Sequence, residues 1–415
     1  MYDLLIVGGG LQGVFFAHAL HSRRIIDAKR IAIADPNETL AAVWTARSAR
    51  VGMDMLRSPS SHNIDPDYRA LRRFARRREY NLASHLRYPY ARPSLELFND
   101  HLRETISAER LTRSHLQCRV ESIDALRNGY RAHTTQGAIE SKLVLIATGP
   151  GGVHTPAFLA KYSNEDTRIS HLFAGTDAID SPSVPEEDPH ADAASNGERI
   201  LILGGGISAW QAALRYARLG AGRVTLASPH PIRVSIFDSD PCYMGPKCGD
   251  EYRALPIPER LKTLQAVRYP GTVPPELAST ARSACARGEV DTLQMTAIEL
   301  RRNSCGIRVV GETGETSDEY DRVTAATGLS CDIPYPKFID STSERLSLPV
   351  YDSGHPVLAN DLSWARGLFV TGRLGELVIG PQAGNIVGAH LALRRISASL
   401  TSGVGSAARM HPAGA

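Results

Sequence analysis

The chain has 415 residues, 42% hydrophobic and 22% charged, an ordinary globular composition with enough apolar surface for two or three cored domains. Lys and Arg number 47 against 44 Asp and Glu, a net charge of +3, which excludes a strongly basic nucleic-acid binder and an acidic tail protein. No apolar run approaches the ~18 residues of a transmembrane helix.

At the N-terminus the apolar run of residues 4–7 passes straight into Gly8-Gly-Gly10. That reads as a strand and a turn, not as a signal peptide, and a cytoplasmic chain is expected. A helix-compatible stretch over residues 14–21 and a second strand over 30–34 follow, the strand ending at Asp35. Arg69, Arg72, Arg73, Arg76, Arg77 and Arg78 cluster on one broad helix face. A solvated face is the simplest reading, and an acidic partner is the other. Residues 130–135, a Gln136-Gly137 turn and residues 142–149 then form a hairpin ending in Ala-Thr-Gly149. Residues 181–197 read as a linker.

The pattern then repeats. Residues 200–203 lead into Gly204-Gly-Gly206-Ile-Ser208-Ala209, and a strand over 223–227 ends at Ser228. Residues 306–311, a turn at Thr313-Gly314 and residues 321–328 close the second half, again on Ala-Thr-Gly. A Pro-rich stretch around Pro334 and Pro336 precedes another buried strand over 367–372. A helix starting near Gln382 and reaching about Ile396 comes last. The duplication implies an α/β chain with two Rossmann-like dinucleotide-binding domains in tandem, and a resemblance to two-dinucleotide flavoproteins implies that the second is inserted into the first. The expected boundaries are 1–180 and 331–397 for the first domain, 198–330 for the inserted one and 398–415 for a flexible tail.

The first turn is G-x-G-x-x-G. Gly8 serves the tight turn, Gly10 lets backbone approach a pyrophosphate, and Gly13 permits close helix–strand packing. Asp35, 22 residues beyond Gly13, is near the ~20 expected of the carboxylate that holds a ribose hydroxyl. The second turn is G-x-G-x-x-A, through Gly204, Gly206, Ser208 and Ala209. Its second strand ends at Ser228 instead of an acid, with His230 and Arg233 following. Ser and Arg welcome a 2′-phosphate that a carboxylate would repel, so NADPH is favoured over NADH. Two dinucleotide sites imply electron passage between cofactors, and the arrangement resembles that of two-dinucleotide flavoproteins, which implies FAD in the first site and NADPH in the second. Six cysteines, at 118, 242, 248, 285, 305 and 331, show no C-x-x-C or C-x4-C spacing. Reduced, packed thiols are expected, with neither a redox dithiol nor a zinc site. No histidine spacing suggests a metal.

At this point the sequence resembles the flavin-dependent N-hydroxylating monooxygenases, the lysine and ornithine hydroxylase group. The Ser-Ala ending of the second turn is similar to theirs. Asp321-x3-Ala-Ala326-Thr327-Gly328-Leu329, followed by Pro334, resembles their D-x3-[LF]-A-T-G-Y…P signature and departs from it at Ala325 and Leu329. The stretch from Met53 to Pro59 resembles the segment that runs past the flavin ring. Residues 237–247 and 372–381 resemble a less characterised branch. The F-x-G-x3-H-x3-[WF] fingerprint of Baeyer–Villiger enzymes is absent: Phe173-Ala-Gly175 starts one, but Asp180 stands near where the His is needed. The resemblance implies that NADPH reduces FAD by hydride transfer, and that O2 then gives a C4a-(hydro)peroxide that passes oxygen to a small amine or amino-acid-like molecule. It also implies assembly beyond a monomer. The alternative is an NAD(P)H-dependent flavin or electron-transfer reductase that inserts no oxygen.

Arg57, Ser58 and Asn63 are the candidate catalytic residues, Arg57 as a bidentate anchor for a substrate carboxylate. Pairing of Arg57 with a neighbouring acid or the FAD phosphate, and loop capping by His62 and Asn63, are the plainer readings. Trp44, Met55, Val120, Gly149, Gly372, Arg373, Pro381 and Asn385 are the further cofactor contacts. Arg373 replaces the acid usual after this glycine in disulfide reductases, and the last helix would aim its N-terminus at the flavin. Asp240 and Lys247 lie in a loop expected to face the ligand crevice.

Overall fold

A computed structural model describes residues 1–162, 165–176, 194 and 196–406, with side chains up to residue 400. Most of the expected linker, Asp180 and residues 407–415 lie outside the described residues.

The first sheet is built on Tyr2–Val7, whose neighbours Ile31–Asp35 and Gly137–Ile146 both run parallel to it. Leu368–Val370 extends it beside Gly137–Ile146, and His115–Gln117 beside Ile31–Asp35. Leu4, Leu5 and Ile6 are all fully buried because this parallel sheet is covered on both faces. Leu4 and Ile6 point to the side filled by Phe15, Phe16 and Ile396. Leu5 and Val7 point to the side filled by Phe338, Ile339 and Trp364. That alternation is the two-residue period of a strand. The helix Leu11–Ser22 is buried from Gly13 to Leu20, lying between this sheet and the last helix, Ile386–Ser406, where Phe15 meets His390 at 4.6 Å between ring centres.

The second sheet is also parallel, in the order Asp291–Gln294, Arg223–Ser228, Arg199–Leu203, Arg322–Ala325, Ile169–His171. Ile200 and Ile202 face Trp210 and Tyr216 of the helix Ile207–Arg218. Leu201 and Leu203 face Leu300, Ile307 and Val309 of an antiparallel hairpin. Two chain crossings join the sheets and run side by side: Val153 bridges Leu329, and His154 N–H donates to Gly328 O at 3.0 Å.

Several details differ from the sequence expectation. Ile169–His171 belongs to the second sheet, because its backbone groups pair with Val323–Ala325. Ile307–Gly311 pairs with Ala297–Arg302, a strand with no turn signal before it, instead of with the strand ending in Ala-Thr-Gly. A helix, Pro336–Leu346, starts in the Pro-rich stretch, where Pro336 takes the first helical position and loses no hydrogen bond. The last helix starts at Ile386, not near Gln382, and runs on to Ser406. The basic cluster lies on the helix Ala70–Arg77, and part of its charge is neutralised within the chain: Arg73 pairs with Asp67, and Arg77 and Arg78 with Glu104.

Candidate functional site

The first glycine turn has the geometry its sequence implies. Gly8 has φ +110°, and a Cβ there would lie 2.4 Å from Ala147 O; a Cβ on Gly13 would lie 1.9 Å from Gly8 O. These two glycines are demanded by the fold. Gly10 is different: no protein atom lies within 4 Å of where its Cβ would be. The chain there gains nothing from a missing side chain except open space before a helix N-terminus, the arrangement that receives a phosphate. Asp35, 9% exposed, accepts from Gly9 N at 2.6 Å and from Asn37 N and Nδ2 at 2.9 and 2.7 Å. A carboxylate has about four acceptor sites, so room for a ribose hydroxyl remains.

A second helix start converges on the first. Gln12 Nε2 donates to Ala383 O at 2.8 Å and Asn385 O at 3.0 Å, and Gln12 Oε1 accepts from Thr371 Oγ1 at 2.9 Å. This one side chain, overlooked in the sequence, ties the start of Leu11–Ser22 to the turn before Ile386 and to the end of the strand Leu368–Val370. Asn385 Nδ2 donates to Gln382 Oε1, and Pro381 is buried in the same turn. Gly149, with φ +82°, also faces open space, and the buried Thr148 Oγ1 beside it has no hydrogen-bond partner. Gly372 lies against Gln12, whose Oε1 is 3.6 Å from its Cβ position. Two convergent helix starts, glycines that leave space and an unpartnered hydroxyl fit the phosphate-bearing part of FAD.

The expected catalytic residues fare differently. Arg57 is not held ready for a substrate. Its Nε donates to Ile236 O at 3.0 Å, and its Nη2 to Ser235 O, Phe237 O and Thr272 Oγ1 at 2.8, 3.2 and 2.9 Å. It is a strut between the two domains, and burial lowers its pKa. Asn63, fully buried, spends its amide on Ser60 O, Asp67 O and Asp65 N, which is loop capping. Ser58 is half-buried. Trp44 donates to Asn99 Oδ1 at 2.9 Å and packs its ring edge-on to Phe98, so its indole is engaged in the first core. Met55 is half-buried and its backbone bridges Ser94. Val120 is buried in the core behind Asp35 and Cys118. Arg373 donates to Pro150 O, Ser330 O and Cys331 O, stapling both chain crossings to the first domain.

The second glycine turn repeats the first up to a point. Gly204 has φ +144°, and a Cβ there would lie 2.4 Å from Ala326 O. Ala209, fully buried, packs the helix on the sheet, and Ser208 is half-buried on its first turn. Gly206 departs from Gly10. The space beyond it holds Gly271, whose Cα is 3.5 Å from the Gly206 Cβ position. The His230 ring fills the next gap, 3.0 Å from the Cβ position of Gly205 and 2.5 Å from that of Gly271. Gly271 and His230 thus occupy space whose counterpart beside Gly10 is open. Ser228 borders a cavity of about 390 Å³ together with His230, Arg282 and Gln294. Arg233 lies elsewhere, on a separate cavity of about 440 Å³ beside Arg268 and Thr272. Arg282, exposed, is thus the arginine beside Ser228. It sits on the helix Pro275–Ala286, far along the chain from the strand end, so spacing gave no sign of it.

The cysteine expectation needs correction. Cys242 and Cys248 form a disulfide, with Cα atoms 5.6 Å apart, while Cys118, Cys285, Cys305 and Cys331 are free. A turn over Pro241–Met244 runs directly into the helix Pro246–Ala254 and folds the two back on each other. Asp240 accepts from Cys242 N at 2.9 Å, and Lys247 is exposed. Gln382, fully buried, donates to Ser239 Oγ at 2.6 Å and holds this loop against the first domain. No cluster of metal-ligating side chains exists among the described residues, and none of their helices is long and apolar enough to cross a membrane.

Two parallel sheets, each opening on a strand, a glycine turn and a helix, define an α/β protein with two dinucleotide-binding domains. A family model, pyridine nucleotide-disulphide oxidoreductase, matches residues 2–337. The chain belongs to this family and is an enzyme of the FAD- and NAD(P)H-dependent kind. No curated protein matches the sequence. Among solved structures, the ornithine hydroxylase PvdA of Pseudomonas aeruginosa is 16% identical, with 97% of this chain and 99% of that chain covered at a TM-score of 0.72. The ornithine N-hydroxylase KtzI of Kutzneria sp. 744 is 16% identical over 96% and 99%, at 0.73. The bacillithiol disulfide reductase of Bacillus cereus is 16% identical over 97% and 99%, at 0.56.

Proposed function

We propose that this protein is an FAD- and NADPH-dependent monooxygenase that hydroxylates the nitrogen of a small amine or amino-acid-like molecule. The observation carrying this reading is the likeness to N-hydroxylases along the whole chain, at TM-scores of 0.72 and 0.73 against 0.56 for a disulfide reductase. The sequence signatures of the second turn and of Asp321 to Pro334 support it. Bound to the first domain, FAD supplies the hydride-accepting and oxygen-reactive chemistry.

The chain's own part is to bind, orient and exclude water. With FAD bound, the amides after Gly10 would hold the pyrophosphate, Asp35 would take the ribose, and the start of Ile386–Ser406 would offer its positive dipole end to the flavin. Gln12 fixes the angle between those two helix starts. Arg57 and Gln382 keep the inserted domain against the first. Ser58, beside Arg57, is the remaining polar candidate for a substrate contact. Ser228 and Arg282 would receive the 2′-phosphate of NADPH.

The test is a coupled assay: NADPH oxidation, hydroxylamine formation and peroxide release are measured across a panel of small diamines and amino acids. One hydroxylamine per NADPH with at least one substrate supports the proposal. Oxidation that yields only peroxide or reduced acceptor, whatever amine is added, removes it.

The Cys242–Cys248 disulfide favours a second reading, a reductase without oxygen insertion. In it, the S–S bond of Cys242 and Cys248 would break on gaining two electrons, supplied ultimately by the nicotinamide nucleotide, and two protons, leaving two thiols. Anaerobic NADPH followed by thiol counting separates the two: two new thiols per chain favour the reductase, none the monooxygenase.

A further inference from the structure

We infer that residues 269–271 form a gate that closes the second glycine turn, and that the first domain holds the gate shut through Glu376 and Arg57. This rests on the reading of that turn as the pyridine-nucleotide site.

The contrast between the two turns is the starting point. Both begin with a strand, a positive-φ glycine and a glycine helix cap. Yet the space beyond Gly10 is clear to 4 Å, while that beyond Gly206 contains the Gly271 backbone. The free amides of a helix start need an anion in contact to benefit from it. With Gly271 Cα 3.5 Å from the Gly206 Cβ position and the His230 ring wedged between Gly205 and Gly271, a phosphate has no room. The blocking segment must therefore move before nucleotide binds.

The segment is built to move as a unit. It is the tip of a short ladder: Ser239 bridges Arg268, Tyr269 N–H donates to Asp238 O at 2.8 Å, and Arg233 and Val234 pair with Thr272 and Val273. Gly271 has φ +70°, a conformation that suits glycine at such a tip. Behind the tip lies the cavity of about 440 Å³ between Arg233–Ser235 and Arg268–Thr272, so the tip can withdraw without displacing packed core.

Both ends of the tip are held from the other domain. Arg268 Nη2 donates to Glu376 Oε2, whose side chain is 5% exposed. Thr272 Oγ1 accepts from Arg57 Nη2 at 2.9 Å. Glu376 is in turn fixed by His355 Nε2 at 3.2 Å, and Tyr252 OH donates to its backbone O at 3.0 Å. Gln382, bonded to Ser239 Oγ at 2.6 Å, holds the ladder beneath the tip, and a displacement of the inserted domain that breaks the Glu376 and Arg57 contacts frees the tip above it and uncovers Gly206. Nucleotide entry and domain position are thereby one equilibrium, and apparent affinity equals intrinsic affinity multiplied by the open fraction.

The experiment compares the flavin-loaded wild type with Arg268→Met and Thr272→Val. Each variant removes one tether and touches neither glycine turn; Thr272→Val also removes the bond that Thr272 Oγ1 donates to Tyr269 O at 2.8 Å inside the tip, so Arg268→Met is the cleaner probe. Flavin reduction by NADPH is followed anaerobically, and backbone hydrogen exchange of residues 268–273 is measured with and without NADP+. The gate predicts that each variant lowers the half-saturating NADPH concentration about fivefold while the limiting reduction rate is unchanged. It also predicts that NADP+ speeds exchange at residues 268–273 in the wild type, where plain ligand contact would slow it. An unchanged half-saturation in both folded variants, or slowed exchange, overturns the gate while leaving the nucleotide site standing. Absence of both reduction and any exchange response with NADPH and NADH, in all three proteins, overturns the site and the gate together.

Discussion

Gly10 and Gly13 look alike in the sequence, yet their surroundings predict opposite outcomes for the same substitution. In Gly10→Ala the new methyl enters space clear of protein to 4 Å, on a backbone with φ −69° and ψ −172° that any residue adopts. Fold stability should change by less than about 1 kcal/mol, and upward, because alanine restricts the unfolded chain. A pyrophosphate seated there would meet the methyl. Overpacking of about 3 kcal/mol corresponds to a loss of roughly a hundredfold in FAD affinity. In Gly13→Ala the methyl lies 1.9 Å from Gly8 O, and both atoms belong to backbone at a helix–strand contact. The fold itself should lose about 3 kcal/mol or more. The assay is urea unfolding of the flavin-free proteins beside FAD titration by fluorescence. If Gly10→Ala binds FAD within about threefold of wild type, the open space is not the phosphate site and the argument from missing contacts fails.

Arg282→Ala should cut the preference for NADPH over NADH at least about tenfold, by removing a cation from a 2′-phosphate. Arg233→Ala, on the other cavity, should not, and steady-state kinetics with both nucleotides decides between them. Arg57→Met should destabilise the chain by about 3 kcal/mol, because it leaves the carbonyls of Ser235 and Ile236 without their guanidinium donor at the domain contact. A midpoint unchanged in urea would show that water replaces the guanidinium without loss. Burial holds His62, His101 and His171 neutral, each with its pKa lowered from 6.5 to about 4. The unfolded chain therefore binds more protons below pH 6.5. Stability is complete at pH 7 and falls as the pH drops from about 6.5 to 4, by at most roughly 3 kcal/mol per histidine. Unfolding midpoints across that range check the sign, and His101→Gln should flatten the slope.

The sequence by itself determined the duplicated frame. Short apolar runs ending in glycine, repeated at residues 4–13 and 200–209, read as strand, turn and helix, because a run of four apolar residues closed by glycine is too short for a buried helix and Gly8 and Gly204 take positive φ. Asp35 and the Ala-Thr-Gly strand ends were legible for the same local reason. Tertiary structure decided what side chains do once distant segments meet. Arg57 and Arg373 look like ligand anchors until the carbonyls at Ser235–Phe237 and Ser330–Cys331, far along the chain, take their donors. Arg282 and Gln12 acquire a place beside the turns only through packing, and Cys242 meets Cys248 only because a turn runs into a helix there. The two glycine turns read alike because local geometry is written in local sequence. That one is open and the other covered depends on Gly271 and His230, held there by contacts between domains that no short-range pattern records.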